Sequence, residues 1–151
     1  MSIPGVQLCE RLWISGMPNP GWDAENSGVD IIVSVADHTC PQAGRRFEWG
    51  TRGDSAGAGR ILYIHWPIED GDLPQASLLG LIVEQISAGI RKGHTVLIHC
   101  QEGRNRSGLI AGLVLRNLYH ISGREALTHI REKQIGAVSN KTFANYLENL
   151  D

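Results

Sequence analysis

A short apolar stretch at residues 94–99 leads directly into a polar segment containing Gly103, and then into a second apolar stretch at residues 107–119. The first stretch is short and bounded by glycine, which predicts a buried strand. The second is apolar on nearly every side, which predicts a central buried helix. A strand, a tight loop and a helix N-terminus form an anion-binding site, because backbone N–H groups and the helix dipole point into the loop. The chain must therefore fold around a strand–loop–helix unit.

Hydrophobic periodicity and turn residues predict the elements around this unit. Strands are expected at residues 6–8, 11–15, 30–36, 60–66 and 94–99, and helices at residues 75–92, 107–119, 122–134 and 140–150. Strands that alternate with helices, with helices filling the C-terminal half, predict an α/β fold with a mixed central sheet of about five strands flanked by helices. We expect residues 1–151 to form a single domain.

Three local features refine the helices. Gly108 and Gly112 are expected to let the helix at 107–119 approach the sheet closely. Ser122 with Glu125 forms a capping box at the start of the next helix. Ser139 or Asn140 is expected to cap the last helix.

Charge and cysteine content narrow the function classes. The 14 basic and 16 acidic residues give a net charge of -2, which argues against a general nucleic-acid or membrane-surface binder. No apolar run approaches the length of a membrane span. Cys9, Cys40 and Cys100 are odd in number and widely spaced, without a zinc pair or a disulfide framework. A reducing, cytoplasmic compartment fits this pattern best. Cys9 and Cys40 are expected to be inert thiols, with a role as resolving thiol for an oxidised Cys100 as the alternative.

The residue types in the loop between strand and helix predict nucleophilic chemistry. Cys100 occupies the first loop position, where a helix N-terminus and nearby cations lower the pKa of a thiol into the range of roughly 3.5–7.5. Arg106 lies six residues further on, and its planar fork matches two phosphoryl oxygens. Ser107 is placed to donate a hydrogen bond to the sulfur when it leaves. His99 is expected to orient the loop and favour the thiolate.

The same segment resembles the signature of the cysteine-based protein-tyrosine phosphatase superfamily, His-Cys-(x)5-Arg-Ser/Thr. The matching positions are His99, Cys100, Gly103, Arg106 and Ser107, followed by Gly108. The Trp-Ile-Ser-Gly sequence at residues 13–16 looks like the dual-specificity branch. The resemblance implies a protein-tyrosine-phosphatase-like fold and metal-independent hydrolysis of phosphate on tyrosine, serine or threonine through a cysteinyl-phosphate. It also implies that the backbone of the cysteine loop, residues 100–106, binds phosphate, sulfate or a similar oxyanion.

Residues 66–74, the Asp70 loop, offer carboxylates for the proton that the leaving oxygen needs. The resembling families carry Pro-Ile-x-Asp about thirty residues before the cysteine, and Pro67, Ile68 and Asp70 match that pattern. We therefore expect Asp70 to act as the general acid and then as the base. Asp72 is the second candidate, with helix capping as its alternative role.

Two further carboxylates are given ordinary roles. Glu69 is expected to be a solvated loop charge. Asp37 follows a predicted strand, and turn formation is the favoured interpretation.

The variable positions of the cysteine loop leave the substrate open. Gln101, Glu102, Arg104 and Asn105 form the predicted pocket floor, and their backbone amides would bind phosphate. Arg104 adds a cation, and Asn105 before the arginine resembles the RNA 5′-triphosphatase branch. Glu102 offsets that charge. A phosphorylated protein is the favoured substrate, and an inositol phosphate, an inositol lipid or an RNA 5′-triphosphate is the alternative.

The remaining expectations concern a non-catalytic alternative, two further segments of the chain, and cofactors and partners. A non-catalytic phosphate-binding module is the third hypothesis, although the cysteine, the arginine and the acid are all present. Asn140 lies in a Gly136–Phe143 segment similar to the dual-specificity pattern, where it either contacts the active-site loop or only caps the helix. The glycine- and arginine-rich residues 38–60 are interpreted as a surface excursion, with a basic flap over the substrate as the alternative. No cofactor or metal is expected, and the chain is expected to be a monomer that meets nucleic acid only if the RNA alternative holds.

Overall fold

The central layer of this computed structural model, which describes residues 2–44 and 61–151, is a mixed β-sheet. Within the described residues its five strands are β1 (Val6–Cys9), β2 (Leu12–Ser15), β3 (Ile31–Ser34), β4 (Leu62–His65) and β5 (Val96–His99). Their spatial order is β1-β2-β5-β3-β4. β1 is antiparallel to β2, and the other pairs are parallel. The predicted mixed sheet of about five strands is confirmed for this part of the chain.

Helices form in the four segments that were predicted to be helical, and a further short helix lies within residues 38–60, where none was predicted. The described residues form α1 (Pro41–Gly44), α2 (Ala76–Arg91), α3 (Arg106–Tyr119), α4 (Gly123–Lys133) and α5 (Lys141–Glu148), with a 3₁₀ turn at Ala24–Asn26. The capping box of Ser122 and Glu125 is confirmed at the start of α4. Asn140, rather than Ser139, caps α5 by accepting a hydrogen bond from the Phe143 amide.

One capping assignment is wrong. α2 begins at Ala76 with Gln75 as its N-cap residue and without a side-chain cap. Asp72 is exposed and lies three residues before that cap, so it does not cap the helix. The extended Gln75 backbone, with ψ of 140°, still belongs to the preceding loop and separates Asp72 from the first turn of the helix.

The two faces of the sheet bury different sets of side chains. Val96 and Ile98 of β5 pack into a large apolar cluster with α2, α3, α4 and α5, whereas Leu97 packs into a smaller cluster with Ala24, Cys40 and Ala43. This alternation follows from the two-residue period of a strand. Both faces of β5 are therefore covered, and the loop after it starts from a fixed, buried point.

The glycines of α3 serve a contact other than the predicted one. A Cβ atom at Gly108 would lie 2.7 Å from Val138 Cγ2, and one at Gly112 would lie 3.1 Å from the Leu147 methyls. The glycines therefore let α3 approach α5 and the segment before it, and the expectation that they face the sheet is wrong. The reason is that α3 is buried on more than one side, so its small residues mark the closest helix neighbour.

Two sequence expectations are not tested by the fold. Arg45, Arg46, Arg52 and Arg60, which suggested a basic flap, lie outside the described residues. The single-domain organisation also stays a prediction. Within residues 2–44 and 61–151, no helix has the length and hydropathy that crossing a bilayer requires.

Candidate active site

The cysteine loop begins where the central strand ends. β5 lies between β2 and β3, with His99 in register with Ser15 on one side and Ser34 on the other. The Cys100 amide donates to the Ser15 carbonyl at 3.2 Å, and the Met17 amide donates to the Gln101 carbonyl at 3.0 Å. The start of the loop is thus a continuation of the sheet, which places Cys100 in the protein interior at only 2% exposure.

Gly103 turns the loop back towards the cysteine. Its φ of +77° lies in the left-handed region, which glycine adopts without strain. A Cβ atom there would lie 2.4 Å from the Gly16 amide nitrogen, so a side chain would also clash with backbone. In this conformation the Gly103 N–H donates to Cys100 Sγ at 3.1 Å. The glycine is required both for the turn and for an amide aimed at sulfur.

The predicted catalytic groups surround one small cavity. Ser107 is fully buried at the first turn of α3, and its Oγ lies 3.3 Å from Cys100 Sγ. A cavity of about 180 Å³ has as its lining residues Asp70, Cys100, Gln101, Glu102, Arg104, Asn105 and Arg106. The sulfur, the guanidinium and the carboxylate that the sequence singled out therefore face a shared space. The N-terminal turn of α3 begins there as well, which favours an anion.

Arg106 is oriented by two acceptors from other segments. Its Nη1 donates to the Ile68 carbonyl at 3.1 Å and lies 3.5 Å from Asp37 Oδ1. The sequence interpretation gave Asp37 a turn role and missed this ion pair. One signal was available: Asp37 follows β3, and the carboxyl ends of parallel strands meet at the same edge of the sheet. Since the Arg106 side chain is only 12% exposed, a carboxylate beside it also balances its charge.

His99 acts on the loop without carrying charge. It is fully buried, and its Nδ1 lies 3.4 Å from the Cys100 carbonyl oxygen. Burial lowers the pKa of His99 to about 4, so the imidazole is neutral at pH 7. The predicted orienting role fits this geometry, whereas stabilisation of a thiolate by a positively charged imidazole does not.

Two amide side chains hold the Asp70 carboxylate at the cavity. Its Oδ2 accepts from Asn105 Nδ2 at 3.0 Å, and its Oδ1 accepts from Asn140 Nδ2 at 3.0 Å. Asp72 and Glu69 are exposed and are not among the lining residues of this cavity. The geometry therefore favours Asp70 over Asp72 as the carboxylate near the sulfur.

Asn140 combines the two roles that were alternatives. Its Oδ1 caps α5, its Nδ2 donates to Asp70 and to the Gly71 carbonyl, and its backbone N–H donates to Asn105 Oδ1 at 3.0 Å. Capping and contact with the site are therefore compatible.

The segment before α5 contacts the backbone of the cysteine loop through Val138. The sequence did not predict this contact. The Val138 N–H donates to the Arg104 carbonyl at 2.9 Å, and the Val138 carbonyl accepts from Arg131 at 2.9 Å. Val138 has a φ of +56°, an uncommon conformation for a β-branched residue. No sequence pattern signals this, because a glycine would be expected at such a φ.

The other two cysteines differ from Cys100 in their surroundings. Cys40 is buried in the smaller core cluster, and burial raises the pKa of its thiol, which fits the predicted inert role. Cys9 is partly buried, and like Cys40 and Cys100 it forms no disulfide. In the part of the chain that the structure describes, no group of three or more His, Cys, Asp or Glu side chains is arranged to hold a metal ion.

A buried cysteine at the end of a parallel strand, a loop closing on its sulfur and an arginine at the following helix define the cysteine phosphatase class. The dual specificity phosphatase catalytic domain model matches residues 24–150. The chain belongs to this family, so the predicted fold and superfamily are confirmed.

Known proteins similar to this chain agree with that assignment. The crystal structure of Tk-PTP in its active form has a TM-score of 0.75 and 27% identity, covering 95% of this chain and 93% of that one. Human DUSP28 has a TM-score of 0.73 over 95% and 92% of the two chains, and at 20% identity it supports the fold alone. Cyclin-dependent kinase inhibitor 3 of Mus musculus is 33% identical over 88 residues. That match covers 58% of this chain but only 42% of the mouse protein, so the chain spans less than half of this relative.

Proposed function

We propose that this domain hydrolyses phosphate monoesters on proteins, at phosphotyrosine and also at phosphoserine and phosphothreonine, through a cysteinyl-phosphate on Cys100. The observation that carries the proposal is the placement of Cys100 Sγ, with Gly103 N–H and Ser107 Oγ beside it, in a cavity shared with Arg106 and Asp70. Family membership supports the reaction class. The similarity to a cyclin-dependent kinase inhibitor supports a protein partner over a small metabolite.

The first step transfers the phosphoryl group to sulfur. The backbone amides of residues 101–106 and the fork of Arg106 bind the phosphoryl oxygens, on which charge spreads in the transition state. The thiolate electron pair of Cys100 forms the S–P bond while the P–O bond to the substrate breaks. The leaving oxygen takes the proton of Asp70, so that no alkoxide or phenolate is released.

The second step regenerates the sulfur. Water attacks the phosphorus, Asp70 accepts a proton from this water, and the S–P bond breaks. Ser107 Oγ, 3.3 Å from the sulfur, donates a hydrogen bond to the departing thiolate. His99 stays neutral and holds the carbonyl of Cys100 in place.

Direct tests use Cys100→Ser with Cys9→Ser as the matched control. Turnover of a phosphotyrosine peptide is expected to fall by about 1,000-fold or more in Cys100→Ser, while phosphate binding is retained and Cys9→Ser keeps its rate. Hydrolysis of p-nitrophenyl phosphate should persist in the intact protein with a chelator. An intact protein that binds oxyanions without turnover would instead support the binding-module alternative.

A non-protein substrate is the second candidate, and Arg104 is the observation in its favour. Arg104 is exposed and lines the cavity beside Arg106, which adds positive charge for a substrate with several phosphates. Glu102 and Asp70 line the same cavity, and their carboxylates offset the positive charge of the arginines. Phosphotyrosine and phosphoserine peptides should be compared with inositol phosphates and triphosphate RNA. If only the non-protein compounds are hydrolysed, the proposal of a phosphorylated protein as substrate is wrong.

The cysteines bear on the location of the protein. The three unpaired thiols fit the reducing environment of the cytoplasm. We propose that the chain acts as a monomeric single domain, which sedimentation at several concentrations would test.

A further inference from the structure

The side chain of Asn105 joins three segments that are far apart in sequence. Its Nδ2 donates to Asp70 Oδ2 at 3.0 Å. Its Oδ1 accepts from the Asn140 backbone N–H at 3.0 Å and from Ser139 Oγ at 3.2 Å. The cysteine loop, the Asp70 loop and the start of α5 thus meet at one amide group.

The direction of these hydrogen bonds follows from the chemistry of the partners. A backbone N–H can only donate, so the Asn105 atom facing Asn140 must be the carbonyl oxygen. The NH₂ group of Asn105 therefore faces the Asp70 carboxylate. The same reasoning applies to Asn140, whose Oδ1 accepts from the Phe143 N–H and whose Nδ2 faces Asp70. Asp70 is consequently held by one N–H donor on each oxygen.

This arrangement restricts Asp70 without blocking its chemistry. Each carboxyl oxygen has two acceptor sites and uses one of them for an amide. The second site remains open for the proton that passes to the leaving oxygen. Asp70 is exposed on a loop, so the two amides are what limit its side-chain rotamers near the cavity. A general acid is effective only within hydrogen-bond reach of the oxygen that it protonates.

We infer that Asn105 is a positioning residue that aims Asp70 at the leaving group, in addition to the backbone phosphate contact expected at its position. This inference rests on the proposed function, because it deepens the role of Asp70. The neighbouring Arg106 donates to the Ile68 carbonyl of the same loop at 3.1 Å. Consecutive side chains of the cysteine loop therefore dock the Asp70 loop at two points, which ties the acid to the phosphate-binding element.

The test measures kcat/KM for aryl phosphates with leaving groups of increasing pKa. Asn105→Ala should lower kcat/KM by about 10-fold for phenyl phosphate and leave p-nitrophenyl phosphate nearly unchanged, since a hydrogen bond that orients the Asp70 carboxyl group is lost. Repeated in the Asp70→Ala background, Asn105→Ala should cause no further loss, because two residues acting through one group are not additive. Asn149→Ala, which removes only a local bond to the Asn145 carbonyl, is the matched control.

A second variant guards against misfolding. Asn105→Ser is too short to reach Asp70 and places no second carboxylate beside it. It should show the same leaving-group dependence as Asn105→Ala while melting near the wild-type temperature.

The outcomes separate this inference from the proposed function. Equal losses for all leaving groups, or an additive loss in the Asp70→Ala background, would overturn the positioning role alone. A flat leaving-group profile in Asp70→Ala itself would overturn the acid assignment, and the inference with it.

Discussion

The cysteine loop and the Asp70 loop face the same cavity but are held by different forces. The cysteine loop is continuous with a buried strand, turns at a glycine with φ of +77°, and has Cys100 in the interior beside the buried Ser107 of α3. Asp70 itself is exposed, and its loop is docked through side chains of Asn105, Arg106 and Asn140. The proposed nucleophile therefore lies on a loop whose backbone continues the sheet, whereas the proposed acid is held by side chains distant in sequence.

The largest expected effect comes from adding a methyl group at the glycine of the cysteine loop. The same change at the glycine of the Asp70 loop is the control. Gly103→Ala would force a left-handed φ on alanine and place Cβ against the Gly16 amide. We predict a loss of activity of about 100-fold or more and a fall in unfolding free energy of about 2 kcal/mol. Gly71→Ala in the Asp70 loop meets no atom within 4 Å and should change little. Equal rates and melting temperatures for Gly103→Ala and wild type would refute the account of the cysteine loop.

The next largest effect separates the two carboxylates of the Asp70 loop. Asp70→Ala should lower kcat/KM by about 100-fold for phenyl phosphate and by much less for p-nitrophenyl phosphate, because a good leaving group needs little protonation. Asp72→Ala, the matched control, should keep the wild-type profile. A leaving-group dependence in Asp72→Ala, with none in Asp70→Ala, would reverse the assignment.

The geometry of the cysteine loop could be predicted from the sequence more fully than the contacts of the Asp70 loop. Cys100, Gly103, Arg106 and Ser107 are close in sequence and lie on one strand–loop–helix unit, so their meeting could be predicted. The strands and most helix bounds followed from hydrophobic period.

The missed contacts all join residues far apart in the chain. The Asp37–Arg106 ion pair spans 69 positions and the Asn140–Asp70 hydrogen bond spans 70. Such pairs depend on how helices pack against the sheet, as do the glycine contacts of α3 with Val138 and Leu147. Periodicity indicates which face of an element is buried, but it does not indicate which neighbour it meets.

The buried side should also carry pH dependence of stability. His99 is neutral in the folded state until about pH 4, whereas the unfolded chain takes up a proton near 6.5. Between these values the unfolded state binds more protons, so stability is complete above pH 6.5 and falls as the pH is lowered, by up to about 3 kcal/mol. Urea unfolding at several pH values in this range should show that the free energy of unfolding falls less with decreasing pH in His99→Gln than in wild type. His38→Gln, at an exposed position, is the control, and identical slopes for all three proteins would contradict the account.

The smallest expected effect concerns the carboxylate that orients Arg106. Asp37 is 81% exposed and its oxygen lies 3.5 Å from Nη1, so the pair is weakened by solvent. Asp37→Ala should raise KM by about 2- to 5-fold with little change in kcat. The difference from wild type should narrow as salt is added. A large fall in kcat would instead place Asp37 in the chemical step.

The central claim is that Cys100 carries the phosphoryl group between the two steps. Rapid denaturing quench during turnover of a phosphotyrosine peptide, followed by mass spectrometry, tests it directly. In the wild-type protein a phosphoryl group is expected on the peptide that contains Cys100, and in Cys100→Ser no phosphoryl group is expected on that peptide. Full turnover with an unmodified Cys100 peptide, or with Cys100 replaced by serine, would contradict it.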